Sequence, residues 1–130
     1  MYLLIKFGLR FKKCLPKHFN GNFDELANAI RERYHTQLNT RTRIFNGIIP
    51  VLEKLKINQV KMAVISNKLH SLALKSVNKY FESYKMEVIG AESGFPRKPN
   101  PDSTFFMLKN FNCHPSDAFF VGDSIVDIKT

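Results

Sequence analysis

The chain has 130 residues, 44% of them apolar, with a formal net charge of +9. The length allows one domain, and the apolar share suffices for a packed core, which excludes a compositionally disordered chain. The apolar runs are too short to span a bilayer and the basic residues are not interleaved with aromatics, which argues against a membrane span and a nucleic-acid binder; the charge fits either attraction to anions such as a phosphorylated substrate or a Lys-rich solvated surface.

Leu3, Leu4, Phe7 and Phe11 recur at near-helical spacing beside Lys6, Arg10 and Lys13. Residues Tyr2 to Leu15 therefore read as an amphipathic helix packed on its own domain, ended by Pro16. No basic segment precedes the first apolar residues and no small-residue cleavage site follows them, so a signal peptide is not expected. Cys14 and Cys113 lack paired spacing, which fits a reducing cytoplasm. Asn22 followed by Glu25 has the form of a helix cap, and Leu26, Ile30, Tyr34 and Leu38 extend that helix to about Leu38. Asn39 to Asn46 is polar connecting chain, broken by Gly47. Pro50 fits the first turn of a further helix with Leu52 and Leu55 inward.

The period then changes. Met62-Ala63-Val64-Ile65 is a continuous apolar run stopped by Ser66-Asn67, the pattern of a strand buried on both faces. A helix with Leu69, Leu72, Ala73 and Val77 follows. Val88-Ile89 marks a weaker strand ending at Gly90-Ala91, Gly94 to Pro99 is loop, and Asn100-Pro101 opens a helix with Phe105, Leu108 and Phe111 inward. Ala118-Phe119-Phe120-Val121 is a third strand. Strand, helix, strand, helix, strand at this spacing predicts right-handed crossovers in a parallel α/β sheet.

Ligands of open parallel sheets bind beyond the carboxyl ends of the strands. Ser66 and Asn67 end one strand, Lys98 lies in the loop after the next, and Gly122-Asp123 ends the third. Asp123 and Asp127 are four residues apart at the start of a helix, where they share a face. Their mutual repulsion calls for a cation, and Mg²⁺ prefers such hard oxygen donors. Each group also has a plainer reading: Ser66, Asp123 or Ser124 as helix caps and Lys98 as a surface lysine.

The order and spacing of the three groups resemble the haloacid dehalogenase superfamily of phosphatases. Val64-Ile65-Ser66-Asn67-Lys68 resembles its second motif, Arg97-Lys98-Pro99-Asn100-Pro101-Asp102 its third, and Phe120-Val121-Gly122-Asp123-Ser124-Ile125-Val126-Asp127 its fourth. Ile49 to Thr130 is similar in particular to bacterial phosphoglycolate phosphatases. The resemblance implies a Rossmann-like α/β core at residues 46–130 and part of an α-helical cap at residues 1–45. It implies Mg²⁺-dependent phosphomonoester hydrolysis through a phospho-aspartate. Ser66 and Asn67 would hold the phosphoryl group, Lys98 would stabilise it, Asp123 would bind Mg²⁺, and Asp127 would support the metal or Lys98.

The superfamily's first motif, Asp-x-Asp-Gly-Thr on the central strand, does not occur in this sequence. The expectation is therefore an incomplete core: the central strand absent, two buried strand edges unpaired, and the last strand of the family's sheet also absent. Such a chain is expected to be a fragment with little activity alone. The alternative is a non-catalytic binding or complementing subunit, supplying its motifs to a separate chain that carries the missing strand.

Overall fold

The computed structural model of the chain describes residues 2–5, 22–37 and 42–130. Four strands, β1 (Tyr2–Ile5), β2 (Lys61–Leu69), β3 (Glu87–Ala91) and β4 (Ala118–Phe120), form a parallel sheet in the order β3-β2-β1-β4. Helices α1 (Phe23–Thr36), α2 (Ile48–Ile57), α3 (His70–Phe81), α4 (Asp102–Asn110) and α5 (Ile125–Ile128) lie between and after them. None of the described helices is long and apolar enough to cross a membrane.

Three expectations are corrected here. Tyr2–Ile5 is a strand, not the start of a helix; the rest of that predicted helix lies outside the described residues. And the central strand is present. Tyr2 to Ile5 pair with Lys61 to Val64 on one side, and Tyr2 to Leu4 pair with Ala118 to Phe120 on the other. The strand assigned to a separate chain is supplied by this chain itself, so the buried edges of β2 and β4 are paired. Residues 2–5, expected in the cap, belong to the core sheet.

The chain divides into two units, Leu9–Arg43 and Met1–Gly8 with Ile44–Thr130. In the first, Glu25 N–H donates to Asn22 Oδ1 at 3.4 Å and Asn22 Nδ2 donates to Glu25 Oε1 at 3.1 Å. Asn22 is thus the N-cap that the sequence predicts for α1, and Glu25 is its partner through the side-chain amide. The helix ends at Thr36, where Thr36 Oγ1 donates to the carbonyls of Glu32 and Arg33. Leu38 lies outside the described residues.

In the second unit β2 is covered on both faces, which is why it reads as a continuous apolar run. Met62 and Val64 face one side, packed with Leu52 of α2, Val77 and Phe81 of α3, and Tyr84 and Met86. Ala63 and Ile65 face the other, packed with Ile89, Met107 of α4 and Phe111. Burying each large aliphatic side chain of this run contributes on the order of 2 kcal/mol. Phe105, predicted inward, is 56% exposed; Met107 fills the inner face of α4 instead, beside Leu108, which is buried as predicted. β2 also runs past the predicted stop at Ser66, to Leu69, with a register irregularity between Ile65 and Leu69. That irregularity places Ser66, Asn67 and Lys68 where regular pairing lapses. Gly90 is needed where β3 passes the start of α3, because a Cβ there would meet the backbone of His70.

Candidate active site

Every side chain picked out by the sequence lies at or just beyond the carboxyl ends of β2, β3 and β4. Ser66 is buried at the end of the paired part of β2, and its Oγ accepts from Lys68 N–H at 3.1 Å. Asn67 fastens the loop after β3 to the end of β2. Its Nδ2 donates to the Lys98 carbonyl at 3.0 Å, and its Oδ1 accepts from Lys98 N–H at 2.9 Å. A side-chain amide carries a donor and an acceptor side by side, so it can satisfy a main-chain acceptor and donor together in this way.

That clamp aims Lys98 inward. The residue is 4% exposed, and its ammonium donates to the Ile65 carbonyl at 2.6 Å and to Asp127 Oδ1 at 3.0 Å. The Phe120 ring lies 5.4 Å from Nζ, within cation–π range. Lys98 is therefore a buried cation with a carboxylate, a carbonyl and an aromatic face around it, not the surface lysine of the plainer reading.

Asp127 is 5% exposed, and its other oxygen is held as well. Oδ2 accepts from Ser124 Oγ at 2.6 Å and from Ser124 N–H at 3.1 Å, in a capping box at the start of α5. Ser124, not Asp123, caps this helix. Gly122 leaves room for the arrangement: a Cβ there would collide with the Asp127 side chain. Of the two supports expected from Asp127, the structure builds the one to Lys98. The Lys98 ammonium balances the charge of the Asp127 carboxylate. Asp123 is exposed just beyond β4. The described residues contain no group of three His, Cys, Asp or Glu that could hold a metal ion.

Arg97 was not singled out by the sequence, although it adjoins Lys98. It lines the same small cleft as Ser66, Asn67, Gly90, Ala91 and Lys98, and its guanidinium lies 3.6 Å from Glu92 at the rim. An exposed pair at that distance is weak and can yield to another anion.

With this geometry in place, likeness to known proteins becomes informative. The family model described as haloacid dehalogenase-like hydrolase matches residues 2–130, from β1 to the last residue. The chain belongs to the haloacid dehalogenase-like hydrolase family. It is 30% identical to phosphoglycolate phosphatase 1 of Pseudomonas aeruginosa over 105 residues, covering 80% of this chain and 39% of that protein. It is 29% identical to the phosphoglycolate phosphatase of Aquifex aeolicus over 124 residues, covering 91% of this chain and 56% of that one. A crystal structure of a predicted phosphoglycolate phosphatase from Haemophilus somnus superposes with a TM-score of 0.76 at 25% identity, covering 84% of this chain and 50% of the other. The chain thus spans about half the length of the relatives it matches. The family's Rossmann-like sheet is the one observed here, with Tyr2–Ile5 between β2 and β4. In sequence, that strand leads into Lys6-Phe7-Gly8-Leu9-Arg10, which contains no carboxylate.

Proposed function

We propose that the chain binds small phosphomonoesters of the phosphoglycolate class at the carboxyl edge of its sheet, in the cytoplasm, and turns them over very slowly. The observation that carries this reading is the Lys98–Asp127 pair, buried beside Ser66 at 1% and 2% side-chain exposure. In this reading Ser66 and the backbone at the end of β2 receive the phosphoryl oxygens, and Lys98 compensates their charge from behind. Asp127 fixes the position of that ammonium, and Asn67 fixes the loop that carries it. Arg97 meets the rest of the anion at the rim.

Hydrolysis through a phospho-aspartate needs a carboxylate beside the phosphorus. The residues that follow the central strand in sequence supply none, and loss of a nucleophile elsewhere costs roughly 10⁶ in rate. A subunit that completes another chain finds less support, because β1 already fills the central position. Mg²⁺, which the family resemblance implies, is not matched by the donor set: Asp127 serves Lys98, and Asp123 is a single exposed carboxylate.

The assay is release of phosphate from phosphoglycolate by the purified chain, alongside a binding titration with the same compound. We expect saturable binding with turnover below about 10⁻³ s⁻¹, from ordinary turnover numbers reduced by the loss of the nucleophile. Turnover near 1 s⁻¹ that disappears in Lys98→Met would overturn the non-catalytic part of the reading. Absence of any binding would overturn the site itself.

A further inference from the structure

The carboxylates near the strand ends of the unit that carries the site are few. In sequence, the residues that follow β1, Lys6 to Gly21, contain no Asp or Glu. After β3 come Glu92, which faces Arg97, and Asp102, which lies in the first turn of α4. After β4 come Asp123 and Asp127, and Asp127 has both oxygens engaged by Lys98 and Ser124.

A divalent ion is needed at a phosphate site where clustered carboxylates would otherwise repel the ligand. Here the buried carboxylate already has a cation 3.0 Å away, one that cannot diffuse off. Mg²⁺ demands a near-octahedral set of oxygens, and one exposed carboxylate supplies little of it.

We propose that this site binds its phosphoryl anion without a divalent metal, the Lys98–Asp127 pair standing where a metal and its carboxylates would otherwise be required. The inference rests on the functional reading above and deepens it: that reading names the anion and its site, and this one makes its binding independent of a divalent ion. It also assigns Asp123 an opposite sign of effect: at a metal-free site its charge repels the phosphate rather than recruiting a counterion.

The test is a calorimetric titration of the full chain with inorganic phosphate, once in EDTA and once in excess Mg²⁺. The expected dissociation constants agree within about threefold. Binding that appears only with Mg²⁺, or tightens by more than about threefold with it, overturns the inference and leaves the phosphate site standing. No binding in either buffer overturns both. In Asp123→Asn the expected affinity in EDTA is about twofold tighter, as a nearby negative charge is removed; weaker binding counts against the inference. Lys98→Met should lose binding at least about tenfold in both buffers. Should its unpaired Asp127 unfold the chain, Lys98→Met/Asp127→Leu keeps the interior apolar and carries the same expectation; binding retained in the double variant overturns the role given to the pair.

Discussion

Lys98 and Asp127 are 29 residues apart in sequence, and each is buried only because the other is. Removing one partner leaves an uncompensated charge in the interior, a cost of about 3–5 kcal/mol. We expect Asp127→Ala to lose about that much in urea denaturation, and Lys98→Met/Asp127→Leu to recover most of it, since a buried pair is often matched by apolar residues of similar size. Equal losses in the single and double variants would contradict the pairing. A second residue gives a pH dependence. Tyr84 donates to Glu53 Oε1 at 2.6 Å, and that hydrogen bond, then burial and the Glu53 charge, raise its pKa above the usual phenol value. A raised folded-state pKa favours the protonated form. This contribution is therefore complete below the unfolded-state pKa near 10 and is lost as pH rises through the higher folded value. Unfolding followed between pH 9 and 11, roughly the phenol titration range, should show a falling stability that Tyr84→Phe flattens. At this scale the sequence located Ser66, Asn67, Lys98, Asp123 and Asp127 on one edge. It left the partner of Asp127 open, because spacing along the chain carries no through-space distance between loops after different strands.

The element that sequence reasoning mistook is β1. Leu3-Leu4-Ile5 followed by Phe7 and Phe11 satisfies a helical period as readily as a strand, and a four-residue strand carries almost no periodic signal of its own. Its identity comes from its neighbours, which present two open edges. β2 was legible for the converse reason: burial on both faces shows in its own residues. Leu4→Pro separates the two assignments. In a strand paired on both sides it removes a ladder hydrogen bond and distorts the pairing, read as a lower urea midpoint, whereas the first turn of a helix tolerates proline. Near-normal stability in that variant would argue for the helical assignment. α4 carries a smaller error of the same kind. Phe105 and Met107 are both apolar, and only the packing against Ile65 and Ile89 decides that Met107 turns inward.

At the scale of the molecule, the described sheet has two edges, β3 and β4, and exposed apolar side chains gather at β4. Phe119 is 61% exposed and Val121 51%, and Ile125 and Ile128 of α5 stand out beside them. An apolar strand edge of this kind invites association, opposed here by the net charge of +9. Added salt screens that charge, so light scattering should rise with ionic strength at fixed protein concentration. Val121→Lys should suppress the rise; an identical salt response in the variant would place the contact elsewhere. The architecture itself was legible, because alternation of apolar runs with helical periods fixes a parallel sheet. The order of strands was legible only in part, since β1 was not recognised as a member.

The insertion of Tyr2–Ile5 between β2 and β4 has a consequence for how the chain is made. Tyr2 pairs with Lys61, 59 residues later, and with Ala118, 116 residues later. On a ribosome adding roughly 5–20 residues per second, β1 waits roughly 6–23 s for its second neighbour. During that interval β2, β3 and α3 can already assemble from nearby segments, while Leu3, Leu4 and Ile5 remain a loose apolar segment. A strand made before both of its neighbours is thus among the last to be locked in place, and the interval before Ala118 emerges is when a chaperone that grips short apolar segments would find its target.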